Sequence, residues 1–259
     1  MPNTRVELCF DGTRYRGWQR QTSSETTIQG KLEHFLSRYC HEPIHVIGCS
    51  RTDAGVHAEQ YVLNFHSKAE VHHASLLQSA DEFLPDDIVL TSVAPCAERF
   101  HARFHCLYKT YSYRITRKSK ANPFIRLYRY ACSEDLDMAS MHQAATLLEG
   151  SHDFRCFTTQ KPDKKATTRH IFSISIEEHP DELWLQFSGD GFLWNMVRIL
   201  AGSLLEIGME PGKLALLPQY LDTQNRLIAA SMLPAQGLTL QNVSFEPYAL
   251  SPSKTSSRV

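Results

Sequence analysis

The sequence predicts an α+β fold of two tandem ferredoxin-like lobes, residues 1–105 and 106–250, sharing a central, mainly antiparallel sheet with a cleft between them. Two observations predict it. The order β-α-β-β-α-β can be traced once in each half of the chain. Apolar residues also switch between helical and strand spacing at matching points of the two halves.

In the first half, residues 4–10 read as a strand. Ile28, Leu32, Phe35, Leu36 and Tyr39 then recur at helical spacing, with Thr26 or Thr27 as N-cap. Residues 44–50 and 60–66 read as strands, 74–84 as a helix and 88–94 as a strand. In the second half, residues 106–116 form a long strand, and Met138, Met141, Ala145 and Leu148 mark a helix stopping near Gly150. Residues 170–178 and 182–189 read as a hairpin around Pro180-Asp181. A helix carrying Phe192, Met196, Ile199, Leu200, Ser203 and Leu204 follows, and 238–245 is the last strand. Residues 251–259 are polar and read as a frayed tail.

The chain has 259 residues, 42% of them hydrophobic, enough for a large core. Its net charge of −1 discriminates no partner, but charge is unevenly placed: residues 99–129 hold nine Lys or Arg and no Asp or Glu. Tyr108, Tyr111, Tyr113, Tyr128 and Tyr130 are interleaved with them, a pattern that suits a polyanion, and Lys161, Lys164, Lys165 and Arg169 make a second basic patch. A sheet with aromatic and basic side chains backed by two helices is also the shape of a common RNA-binding module. The seven cysteines include no Cys-x-x-Cys pair and fall mostly in apolar runs, which predicts reduced, buried thiols in a cytosolic protein. No run approaches the roughly 18 apolar residues of a membrane span, and residues 1–5 lack a signal-peptide core.

The most informative segment is Arg51-Thr52-Asp53-Ala54-Gly55-Val56-His57-Ala58, between two strand-like runs. Gly55 permits a tight turn just after the acid. Arg51 is not needed to ionise Asp53, since an Asp in water titrates near about 3.9; its expected roles are to orient the carboxylate and to meet an anionic substrate. The bland reading is a turn with a surface ion pair. His41-Glu42-Pro43-Ile44-His45 has the letters of a zinc motif, but that motif needs a helix and Pro43 opposes one, so no metal is expected there. Gly189-Asp190-Gly191 reads as a strand-to-helix turn rather than a phosphate loop.

Several blocks in order resemble the TruA family of tRNA pseudouridine synthases: Asp11-Gly12-Thr13 with Tyr15 and Gly17-Trp18-Gln19; residues 51–58; Phe100-His101-Ala102-Arg103 with Lys109, Tyr111 and Tyr113; His152-Asp153-Phe154; residues 191–198; and Pro234-Ala235 with Gly237-Leu238. The sequence departs from the family pattern at Cys49-Ser50, where glycine is frequent, and at residues 230–233.

The resemblance implies a cytoplasmic, homodimeric RNA isomerase that converts uridine to pseudouridine in the anticodon arm of tRNA, at about positions 38 to 40, with no metal or organic cofactor. It implies that Asp53 is the catalytic acid, that Arg51 helps displace the target nucleotide, that Tyr111 stacks on the uracil and that Arg198 pairs with Asp53. Trp18 and Phe100 read as packing. Attack by Asp53 on the sugar and attack on the base both remain open, as do a non-catalytic RNA-binding protein and a pseudouridine synthase acting on another RNA.

Overall fold

A computed structural model describes residues 1–22, 26–160, 166–222 and 230–249. The basic residues Lys161, Lys164 and Lys165 and the tail 251–259 lie outside the described residues. The elements run β1 (Asn3–Phe10), α1 (Ile28–Cys40), β2 (Val46–Gly48), β3 (His57–His66), α2 (His73–Phe83), β4 (Ile88–Pro95), β5 (Tyr108–Thr116), β6 (Tyr130–Ala131), α3 (Met138–Leu148), β7 (Gly150–Asp153), β8 (Thr168–Glu178), β9 (Glu182–Gly189), α4 (Met196–Met209), α5 (Leu217–Asp222) and β10 (Leu238–Ser244).

All ten strands join one sheet in the order β4-β1-β3-β10-β5-β9-β8-β7, with β2 beside β3 and β6 beside β5. The pairings are antiparallel except β3–β10 and β5–β6. The first half of the chain meets the second along the short parallel seam His57–Ala58 against Thr239–Leu240. One edge of β3 is shared: β2 occupies it at Leu63–Phe65 and β10 at His57–Ala58. The chain between β2 and β3, which contains Arg51 and Asp53, therefore leaves the sheet where the halves join. One continuous cluster of buried side chains runs through both halves.

Local chemistry explains the main elements. Thr27 caps α1 by accepting the Gly30 N–H at 3.2 Å. α1 ends at His41 in the left-handed region, φ 54°, so residues 41–45 form no helix and their two histidines do not share a helical face. α4 is apolar nearly all round and lies in the core, with Arg198 its only cation. It begins at Met196, not at Phe192 as the spacing predicts, because Asn195 is left-handed at φ 61° and breaks the helical path.

Three further differences have physical reasons. β2 has only three residues, because β10 takes over the edge of β3 beyond it. Gly150, φ 103°, follows the α3 cap Glu149 and opens the edge strand β7, which is too short to carry an alternating pattern. Of the seven cysteines, Cys49, Cys132 and Cys156 are buried while Cys9, Cys40, Cys96 and Cys106 are half-buried, since apolar runs here also cover partly open edges.

Candidate active site

The Asp53 loop is clamped by the segment after β1. The Trp18 N–H donates to the Thr52 carbonyl at 3.0 Å, and the Gly55 N–H to the Tyr15 carbonyl at 3.3 Å. Gly17 is at φ 87°, and a Cβ there would sit 2.6 Å from the Thr52 carbonyl oxygen. Only glycine permits this backbone and this approach. Gly55, φ 79°, turns the chain after the acid, and the Val56 N–H returns to the Asp53 carbonyl at 3.2 Å. Trp18 is buried and stacks on Tyr61 with centroids 4.1 Å apart, so its role is packing. Phe100 packs on Phe245 at 5.2 Å.

Asp53 faces Arg198 across the seam. The guanidinium Nη1 lies 3.9 Å from Asp53 Oδ2, with the two side chains 12% and 24% exposed. Arg198 is aimed by other partners: Nε donates to the Leu233 carbonyl at 2.7 Å and Nη1 to Asn195 Oδ1 at 3.0 Å. Asn195 in turn donates to Thr159 Oγ1 at 2.6 Å. Burial pushes the Asp53 carboxyl above its ordinary value, while Arg198 and the hydrogen-bonding indole of Trp194 pull it back only partly. Burial likewise lowers Arg198. At 3.9 Å the pair is too loose to offset desolvation of the acid.

Tyr111, on β5, is buried beside the acid. Its hydroxyl and Ser50 Oγ share a hydrogen bond of 3.1 Å, and its ring meets Phe192 edge-to-face at 5.4 Å and 89°. Burial, and more weakly the Asp53 charge, raise its phenol well above the ordinary value. The departure at Ser50 thus supplies a partner for this hydroxyl. Arg51 is exposed, and no hydrogen bond or ion pair among the described residues engages it. The expectation that Arg51 orients the carboxylate is corrected: the guanidinium beside Asp53 belongs to Arg198, which is 145 positions further along the chain and so beyond any local pattern.

The basic run is engaged in part by acids. Arg114 pairs with Glu59 at 2.7 Å, Lys118 with Asp181 at 2.6 Å and Arg129 with Glu182 at 2.8 Å. The run holds no acid of its own, but folding brings acids to it from elsewhere, so it is not one free polyanion face.

A chain whose site joins a half-buried acid and cation with a buried tyrosine, drawn from both halves, and an arginine unpaired among the described residues matches one family in sequence as well. A profile described as tRNA pseudouridine synthase matches residues 9–105 and 144–246.

The chain belongs to the tRNA pseudouridine synthase family.

Among its relatives, tRNA pseudouridine synthase A 1 of Clostridium tetani is 44% identical over 95% of this chain and 100% of its own length. tRNA pseudouridine synthase A 2 of Bacillus cereus is 39% identical over the same shares. tRNA pseudouridine synthase A of a Bacillus species, strain KSM-64, is 37% identical, also over those shares. Arg51, Asp53 and Arg198 of this synthase lie in the segments matched to the family, whereas Tyr111 lies between them. Sequence reasoning gave no role to Trp194 or Ser50. A Trp in the Gly191–Arg198 block was the available signal for the first, and the departure from glycine at Cys49-Ser50 was the signal for the second.

No helix among the described residues is long and apolar enough to cross a membrane.

Proposed function

We propose that this synthase isomerises uridine in the anticodon stem-loop of tRNA, at positions 38 to 40, with Asp53 as the nucleophile. The observation that carries this reading is the placement of Asp53. It is a three-quarters buried carboxylate in a glycine-shaped loop at the seam, facing Arg198 with Tyr111 beside it. A buried anion is poorly solvated and hence a better nucleophile once ionised.

The ionised carboxylate adds to the ribose C1′ or to uracil C6. In the first case the C1′–N1 bond breaks and its electron pair leaves with the uracil. The base turns, C5 bonds to C1′ and displaces the carboxylate, the C5 proton is lost and N1 takes up a proton. In the second case the Asp53 adduct at C6 carries the base through the same exchange of N1 for C5 and is then expelled. Atoms and electrons balance in both without a redox partner. Arg51, unengaged at the rim, meets phosphate and holds the target nucleotide out of its stack, which costs a few kcal/mol. Tyr111 packs against the uracil, and Arg198 steadies the acid.

The same reading includes two ferredoxin-like lobes, residues 1–105 and 106–250. Supporting it, β4-β1-β3-β2 and β10-β5-β9-β8 repeat one strand order. It also includes a cytoplasmic homodimer whose subunits share each tRNA.

The deciding test is tritium release from unmodified tRNA transcript labelled at uridine C5, followed by mapping of the modified positions. Release by the native chain but not by Asp53→Ala, at positions 38 to 40, is expected. Release at other positions overturns the site assignment. Binding without release by the native chain leaves an RNA-binding protein.

A further inference from the structure

The loop between β4 and β5 carries an aromatic pair that the reaction scheme leaves unused. Phe104 is 77% exposed, and the His101 ring lies flat against it, with centroids 4.1 Å apart and planes 19° from parallel. Isolated exposed aromatics are common; this one is held in place. The Phe104 N–H donates to His101 Nδ1 at 3.2 Å, the His101 N–H to His105 Nδ1 at 3.3 Å, and the His105 N–H to the His101 carbonyl at 3.0 Å. Beneath them Ala102 is fully buried, its N–H donating to Asn64 Oδ1 at 2.9 Å. Asn64 and Asn3, both buried, also grip the Phe100 carbonyl, at 3.2 and 2.9 Å. An exposed ring on a loop fixed this firmly loses little entropy when something stacks on it.

Its surroundings suit an anionic partner with a flat apolar face. Arg99 and Arg103 flank the pair. Arg103 is near enough to Tyr61 to bear on its hydroxyl, and that hydroxyl is bonded to the Ser50 backbone, next to the exposed Arg51. The only acid of residues 97–107, Glu98, is taken by the N-terminal ammonium. A nucleotide offers both halves of the match: a base for the ring and a phosphate for the arginines.

We propose that Phe104, backed by His101, is a stacking platform for an unpaired base of the tRNA next to the target uridine. The proposal rests on the tRNA-modifying reading and adds a subsite to it. Base stacking on an aromatic side chain changes affinity by about 10-fold, without altering the number of phosphate contacts and hence the salt slope.

The test compares tRNA binding across a salt series for the native chain, Phe104→Ala, Phe104→Tyr and Arg103→Ala. It uses intact transcript and transcripts with a single abasic site at each unpaired anticodon-loop position. Phe104→Ala should bind about 10-fold more weakly at an unchanged salt slope, Phe104→Tyr should restore affinity, and Arg103→Ala should make the slope shallower. One abasic position should weaken the native chain yet cost Phe104→Ala nothing further. Native-like affinity of Phe104→Ala, or losses that simply add at every abasic position, overturns the platform. Failure of the native chain to release tritium would overturn the parent reading instead.

Discussion

Tyr128, in the second half of the chain, donates its hydroxyl proton to Asp11 Oδ2, in the first half, at 2.8 Å. Asp11 Oδ1 also takes the Thr13 N–H at 2.9 Å and lies 3.0 Å from His57 Nδ1, while the Tyr128 ring packs on His57 at 5.0 Å. His57 follows the Asp53 loop at the start of β3, and Asp11 begins the segment that clamps that loop. This latch makes the position of Asp53 depend on a contact between halves. Tyr128→Phe should keep the ring and lose the bond, costing about 1 kcal/mol of stability in a part-exposed setting and lowering kcat more than tRNA affinity. Urea unfolding and single-turnover rates would check both; an unchanged kcat would leave the latch a purely structural contact.

His57 sets one pH dependence of folding. Its ring is buried, Nε2 has no partner among the described residues, and Nδ1 accepts the Gly12 N–H at 3.2 Å. Burial lowers its value below the ordinary one, more than the Asp11 charge raises it. The folded state thus binds this proton less readily than the unfolded chain does. Its contribution to stability is present above about pH 6.5 and lost as pH falls through the ordinary histidine value towards the folded one. Unfolding midpoints measured from pH 8 to 5 should decline, and His57→Gln should flatten that decline.

Asp53 shifts the opposite way. Its folded value is raised, so the ionised, reactive form appears at a higher pH than for a free aspartate. The acid limb of the rate profile should therefore lie above about pH 3.9. Removing a group that holds the acid down, by Trp194→Phe or Arg198→Gln, should move that limb upward. A limb that moves downward in either variant would contradict the electrostatics of the site.

Asp53→Ala should abolish turnover while leaving folding and tRNA binding near native, because the carboxylate contributes a loose 3.9 Å ion pair and one hydrogen bond from the Trp194 indole. Its desolvation opposes folding once it is ionised. Tritium release, thermal unfolding and filter binding on one preparation would separate the three effects. Appreciable release by the folded variant would remove Asp53 from the chemistry.

Gly17→Ala should be more harmful to the fold than the acid's removal. The new Cβ meets the Thr52 carbonyl at 2.6 Å in a backbone of positive φ, with an expected cost of about 2 kcal/mol or more. Denaturant midpoints would read it directly.

Helix and strand positions were readable in the sequence where burial is one-sided. Residues 28–39, 182–189 and 238–244 repeat at periods their environment dictates. The Asp53 loop was legible because Gly55 and the two flanking strands are local features. The edge strand β7 was not, since too few of its residues face a core to leave a pattern. Nor was the extent of the basic surface, because Glu59, Asp181 and Glu182, from distant parts of the chain, neutralise part of it.

By itself, then, the sequence determined the element order, the Asp53 loop and the family blocks, all carried by residues close together in the chain. The family blocks had already pointed to Arg198 as the partner of Asp53; tertiary structure alone decided which hydroxyl meets Tyr111 and how the halves are latched. Those contacts form only when distant segments pack together, joining Ser50 to Tyr111 and Asp11 to Tyr128. Spacing encodes what one helix face or strand face buries; it carries no record of which distant surfaces come to share an edge.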